Sequence, residues 1–275
     1  GFGDDGEQNI ISCGSFTTDG SGLGSVNLGY EPQWLLVKNS SNAGSWVMID
    51  VMRGMSNTSG AALFANLSNA ESAYSFASLV PTATGFDLRS NLFNANDTLI
   101  YIAIRRPMKT PESGTEVYYY ATQDATSPGH EAPVANWPVD FAIKTKTSSA
   151  DNRSVATRLL GEGYLVTNTT DAFASNSDFS FDYQNGFFES TSAYSDRFAW
   201  MFKRAPGFMD VVAYTGDGTT DGSYQISHNL GVAPEMIIYK SRNIAASWLV
   251  WHTGLGQDGS NRYYSAILHS NGAKG

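Results

Sequence analysis

The residues from Asp19 to Trp46 recur from Asp221 to Trp248 at one constant offset of 202, with no gap. Asp19-Gly20 falls on Asp221-Gly222, Asn27-Leu28-Gly29 on Asn229-Leu230-Gly231, Pro32 on Pro234, Lys38 on Lys240 and Ser45-Trp46 on Ser247-Trp248. A weaker copy lies between them, in which Pro138 to Lys144 repeats the spacing of Pro32 to Lys38. Later landmarks agree as well: Asn66 to Ala70 with Asn168 to Ala172, Gly85-Phe86 with Gly186-Phe187, and Arg105-Arg106-Pro107 with Lys203-Arg204-Ala205-Pro206. A period of about 100 residues is the size of one sandwich domain, so the chain must be built from one unit used repeatedly. The expected organisation is 1–108, a divergent 109–207, and 208–275. The last stops before its own Gly-Phe and basic-pair landmarks, and the parent polypeptide is expected to continue.

The unit reads as β. Trp34 to Val37 and Met236 to Tyr239 are apolar runs of strand length, each entered two residues after a Pro and closed by a Lys. Proline cannot donate to a ladder and suits a strand entry, while the Lys is expected to reach solvent. Both runs are expected to be buried central strands. Asn39 to Ser45 is rich in turn formers, after which Trp46 to Asp50 resumes strand character, so a hairpin is expected here and again at Trp248 to His252. Leu99 to Ile104 and Arg197 to Phe202 read as the last strands of their units, and Asn66 to Tyr74 as holding one short helical turn. The expected fold class is all-β, with tandem β-sandwich repeats of jelly-roll or Ig-like topology and at most short helical turns.

Composition excludes several functions. With 17 basic against 26 acidic side chains the net charge is -9, which disfavours a nucleic-acid binder. No run approaches the roughly 18 apolar residues of a membrane-spanning helix, so no membrane insertion is expected. Cys13 is the only cysteine, which removes intrachain disulfides and Cys-based zinc sites; with no basic neighbour it reads as a small buried hydrophobe. There is no Gly-x-Ser-x-Gly elbow. His130-Glu131 is followed by Ala132-Pro133 rather than by a zincin helix. His228 aligns with Val26 and reads as structural, at a strand end. Asp217 to Asp221 resembles half a calcium loop but lacks a closing Glu, and a turn is the preferred reading. No carboxylate pair stands out for glycan hydrolysis. The chain is therefore expected to carry no catalytic, cofactor or metal site and not to be an enzyme.

One positive site expectation concerns aromatics in polar loops, because sugar rings and protein partners both pack on Tyr and Trp faces. Tyr118, Tyr119, Tyr120, Trp137, Tyr263 and Tyr264 are candidates for glycan or partner contact. The competing reading makes alternate tyrosines strand residues with one ring in the core.

Asn229-Leu-Gly-Val-Ala-Pro-Glu-Met-Ile-Ile-Tyr-Lys240, preceded by Tyr214 to Gly218, resembles a repeat common in virion proteins of marine tailed bacteriophages. Leu28 to Lys38, Gly44-Ser-Trp46 and Leu63 to Glu71 resemble a second form of it. The middle unit departs, since Asp140 stands where Trp34 and Met236 sit and no Trp follows Lys144 at the expected distance. The resemblance implies a structural protein of the phage particle, made in the host cytoplasm. A tail fibre or tail spike attaching to the host surface is the first expectation, with homotrimers, other virion proteins and a host surface glycan as partners. A capsid or tail decoration protein, and a polysaccharide-degrading spike, are the alternatives.

Overall fold

The computed structural model describes residues 10–52, 55, 60–74, 79–89, 92–122, 135–161, 163–175, 179–181, 184–189, 197–216, 218–219, 223–259 and 263–272. It is all-β, with three isolated turns of 3-10 helix as its only helical segments among these residues. His130, Glu131, Asp217 and Asp221 lie outside the described residues. The chain divides into two compact units, one of residues 1–110, 158–161 and 204–229, the other of residues 111–157, 162–203 and 230–275. The residues of the third sequence copy are thus distributed over both.

The first unit contains β1 (Ile11–Thr17), β2 (Gly24–Asn27), β3 (Pro32–Asn39), β4 (Val47–Asp50), β5 (Gly60–Phe64), β6 (Ser72–Tyr74), β7 (Leu79–Thr82), β8 (Gly85–Leu88) and β9 (Thr98–Arg105). A six-stranded antiparallel sheet runs β1-β9-β3-β4-β5-β6, and a second runs β2-β8-β7. Period-two alternation assigns the faces: Leu35, Val37, Val47, Ile49, Leu99 and Ala103 turn inward and form one core with Val26, Leu79, Phe86 and Leu88 of the smaller sheet. Each fully buried Leu or Phe contributes about 1.5–3 kcal/mol. The centre is Phe86, whose ring meets Phe16 and Tyr101 edge-on at 5.8 and 5.4 Å. The preceding Gly85 pairs with Asn27, and a Cβ there would collide with the Val26 carbonyl oxygen. In the first unit the Gly-Phe landmark is therefore a close strand approach followed by the main core ring, while Gly186 lies in a bend ahead of the core ring Phe187.

The second unit contains β10 (Tyr118–Thr122), β11 (Phe141–Lys146), β12 (Ser154–Thr157), β13 (Gly163–Val166), β14 (Ala174–Ser175), β15 (Phe179–Ser180), β16 (Phe188–Glu189), β17 (Arg197–Phe202), β18 (Met236–Tyr239), β19 (Leu249–His252) and β20 (Ala266–Ile267). Its main sheet runs β10-β17-β11-β12-β13-β14, the order of the first unit's large sheet. Small inward residues, Ala142, Ala156 and Ala199, leave room for Phe181 and Phe187, whose rings lie 5.7 Å apart. In the first unit Ala103 pairs with Leu35; counted back from the basic pair, its counterpart Met201 pairs with Ala142. Lys144 accordingly stands where Val37 stands, not Lys38, and is buried. The matching spacing of Pro138 to Lys144 is one residue out of structural register, and a one-residue slip exchanges the faces of a strand.

A third small sheet, β18-β19-β20, repeats the β3-β4-β5 hairpins, Leu249 pairing with Ile267 as Val47 pairs with Phe64. Five expectations are corrected here. Met236 to Tyr239 do form a strand, but at the edge of this sheet and exposed, because among the described residues β18 pairs only on its β19 side. The repeated Lys curls back instead of reaching out: Lys240 Nζ donates to the Ser241 and Ile244 carbonyls at 2.7 and 3.4 Å, and Lys38 Nζ to those of Asn39 and Asn42. It thus closes the hairpin loop by satisfying main-chain carbonyls at the strand end and within the loop. Asn66 lies in a two-residue turn, with β6 rather than a helical turn following. Cys13 is exposed, since it lies on β1 opposite Ile102, on the sheet face turned away from the core. His228 is also exposed and sits in irregular chain, so no strand end is there for it to support.

Candidate binding surface

Alternation along β17 gives the second unit's sheet two contrasting faces. Ala199 and Met201 point into the core, so Phe198, Trp200 and Phe202 point away from it. Register places Tyr118 beside Phe202 and Tyr120 beside Trp200 on one side, with Phe141 and Ile143 beside the same two residues on the other. Tyr118, Phe202 and Phe141 form a row across three strands, with ring centroids 5.3 and 5.6 Å apart. Tyr120 lies 5.7 Å from Phe198, which meets Trp200 edge-on at 4.8 Å. These separations are those of interacting aromatic pairs, each contributing about 0.5–1.5 kcal/mol beyond area burial. The rings hold one another in place on a sheet whose other face is packed.

The same face of the first unit carries Ile100, Ile102 and Ile104 where the second carries Phe198, Trp200 and Phe202, counted from the basic pairs. Opposite them, Ile11 and Cys13 stand where Tyr118 and Tyr120 stand. Aliphatic positions have thus become aromatic in one copy, at a location the core does not require. Tyr118 and Tyr120 are exposed and Phe141, Phe198, Trp200 and Phe202 half-buried, so the face is partly open, as apolar interaction surfaces are. Flat π faces beside phenol hydroxyls suit a ligand with C–H faces and hydroxyl edges, such as a sugar ring.

The sequence candidates fall into different places. Tyr118 and Tyr120 are on this face, 37% and 59% exposed. Tyr119 alternates to the other side of β10, yet it is also exposed because β10 is an edge strand. All three tyrosines are exposed, so the reading that puts one ring in the core is overturned. Trp137 packs on the second unit's core and donates Nε1–H to the Thr115 carbonyl at 3.2 Å, which makes it a structural residue. Tyr263 is 64% exposed and lies edge-on to Trp251 at 5.6 Å; Tyr264 is half-buried, with its amide on the Gly256 carbonyl. Neither joins the β10 face. Sequence reasoning missed Phe141, Phe198, Trp200 and Phe202. The signal for three of them was present in Phe198-Ala-Trp-Met-Phe202, where large aromatics alternate with smaller core residues.

Among the described residues, no three His, Cys, Asp or Glu side chains gather as a metal site. No curated protein and no solved structure matches the chain. Residues 10–106 and 203–273 match the family described as Domain of unknown function (DUF7483). These stretches contain the first and third sequence copies and omit the divergent middle one. With more than half its length matched, the chain belongs to the DUF7483 family.

Proposed function

We propose that this chain is a non-enzymatic structural and adhesive part of a tailed-bacteriophage virion, a tail fibre or spike that contacts the host surface. The observation that carries the reading is the aromatic face of the second unit, with Tyr118, Tyr120, Trp200 and Phe202 presented by a rigid sheet. The repeated architecture supports it, since self-association through repeated faces suits a symmetric homotrimer. The resemblance of Asn229 to Lys240 to marine phage virion repeats supplies the setting. The aliphatic face of the first unit, with Ile100 and Ile102 exposed, favours a second reading, a decoration module gripping another virion protein.

The test uses the intact protein and host cells. Saturable cell binding and blocked phage adsorption are expected, both lost in Tyr120→Ala and Trp200→Ala with the fold preserved by circular dichroism. If the protein neither binds cells nor blocks adsorption, the adhesive reading is wrong. Shortening of host polysaccharide on incubation would overturn the non-enzymatic part.

A further inference from the structure

The first unit holds a separate cavity of about 380 Å³, between the β3–β4 loop, the chain after β5 and the turn leading into β9. That volume lies within the roughly 300–1,000 Å³ of small-molecule sites. Asp97 lines it and is itself 4% exposed. The amides of Asn39 and Asn42 each donate to one of its carboxylate oxygens at 2.6 Å, and the Asn94 N–H donates at 3.0 Å. Asn39 is fixed in turn, its Oδ1 accepting the N–H groups of Ser41 and Asn42 at 2.9 and 3.0 Å. The main chain of Asp97 is held from behind by Thr18, whose hydroxyl accepts the Asp97 N–H at 2.9 Å. The result is a carboxylate locked by neutral donors in a polar network. It takes three hydrogen bonds and has lone-pair capacity for about four.

The rest of the lining is of two kinds. Ser45, Asn69 and Asn94 add hydroxyl and amide groups, while Phe64, Leu67 and Phe93 form an apolar wall. Among the described residues no Lys, Arg or His lines the cavity, so an anionic ligand would meet an acidic group there. A single carboxylate is too little for a divalent cation, which takes six to eight oxygen ligands with charge to match. What fits is a neutral ring with hydroxyls on its edge and C–H bonds on its face. The position has no equivalent in the third copy, where Ser241 and Ile244 replace Asn39 and Asn42.

We propose that this cavity is a binding site for a neutral monosaccharide, a pyranose. Its hydroxyls donate to Asp97 and exchange hydrogen bonds with Asn42, Asn69 and Ser45, and its C–H face packs on Phe93 and Leu67. The site is independent of the aromatic face on the second unit.

The test titrates the full chain with free glucose, galactose, mannose, N-acetylglucosamine and N-acetylgalactosamine, followed by calorimetry and by amide NMR shifts. At least one sugar is expected to bind saturably with Kd on the order of 1 mM or tighter, shifting amides of residues 40–46 and 92–97. Asp97→Asn should abolish the binding. Because that change also disturbs the loop network, Phe93→Ala and Asn69→Ala provide the second reading and should weaken Kd about tenfold with the fold unchanged. Amide shifts confined to residues 40–46 and 92–97 assign the binding to this cavity, whereas saturable shifts only along residues 118–122 and 197–202 would overturn the proposal, so failure of the adhesive reading and failure of this one are seen separately. Absence of saturable binding by all five sugars, or equal affinity in Phe93→Ala, Asn69→Ala and the parent protein, would overturn the proposal.

Discussion

Arg204, at the end of the second copy's basic pair, is the largest fully buried side chain among the described residues, and its removal is the sharpest test of the first unit's energetics. Its Nη1 and Nη2 donate to the two carboxylate oxygens of Glu31 at 3.0 and 2.7 Å, Nη1 also reaches the Val211 carbonyl at 2.9 Å, and Asp210 lies at 3.5 Å. Both partners are nearly inaccessible, Arg204 at 1% and Glu31 at 5%. Arg204→Met keeps the volume but strips Glu31 of its counter-charge, leaving the Asn229 amide at 3.5 Å as a weak donor. Breaking a buried pair from one side costs about 3–5 kcal/mol. The two halves are unequal: Glu31→Gln leaves the guanidinium with Asp210 and Val211, and should cost about 1.5–3 kcal/mol. For a unit of this size the larger loss corresponds to a Tm drop of roughly 6–20 °C. Urea unfolding should show lower midpoints at unchanged slope, with little response to added salt because the pair is screened by protein rather than by ions. The double variant Glu31→Met/Arg204→Met should recover most of the loss, since a buried pair replaced by apolar groups of similar volume is often neutral. An Arg204→Met protein within 1 kcal/mol of the parent, or a double variant no better than Arg204→Met, would refute the reasoning.

Three further outcomes follow from particular contacts. Gly85→Ala sets a Cβ against the Val26 carbonyl and should destabilise the first unit by at least about 3 kcal/mol, the upper range for overpacking; a thermal melt within 2 °C of the parent would contradict the contact. Burial, and then Tyr30 and Cys13, raise the Tyr101 pKa above its ordinary value of 10.0; a raised folded value means the stabilisation is complete below pH 10 and is lost as pH rises through the folded pKa. Tyr101→Phe should therefore flatten the fall of Tm above pH 10, and an identical alkaline slope in both proteins would count against it. Trp248 is buried and donates Nε1–H to the Val166 carbonyl at 2.8 Å, so Trp248→Phe should cost about 1–3 kcal/mol by leaving that acceptor unmet, read as a lower urea midpoint of the second unit.

Much of the scaffold was legible because its landmarks answer to backbone constraints that sequence displays. Gly85 is needed where a strand approaches, Phe86 fills the core behind it, and the apolar runs of β3, β9 and β17 carry the pairing. Orientation was harder. Pro138 to Lys144 has the spacing of Pro32 to Lys38, yet its ladder is displaced by one residue, and the β3 ladder also shifts register between Pro32 and Trp34. The faces are fixed by pairing within the sheet, which sets Met201 against Ala142 and Trp200 against Ile143. Cys13 and Met236 to Tyr239 were misjudged for a related reason: composition says a residue can be buried, whereas strand neighbours decide whether it is. The Asp97 cavity was invisible because Asn39, Asn42 and Asp97 are ordinary turn residues, brought together only by pairing across 58 positions of chain.

The repeat itself separates scaffold from function. Positions that keep their identity between copies are explained by the fold: Lys38 and Lys240 close equivalent loops, Trp46 and Trp248 precede equivalent strands, and Gly85-Phe86 recurs as Gly186-Phe187. The two candidate sites lie where the copies differ. The row Ile100, Ile102 and Ile104 satisfies β pairing as well as Phe198, Trp200 and Phe202 does, so packing alone gives no cause for aromatics in one copy. Likewise the Lys-closed loop forms with Ser241 and Ile244 as readily as with Asn39 and Asn42, so the hydrogen-bonded carboxylate at Asp97 is surplus to closing it. Buried polar networks are costly unless fully paired, and exposed aromatic faces invite unwanted association. Features that the fold does not require and that carry such costs are the ones whose binding the two proposals put to the test.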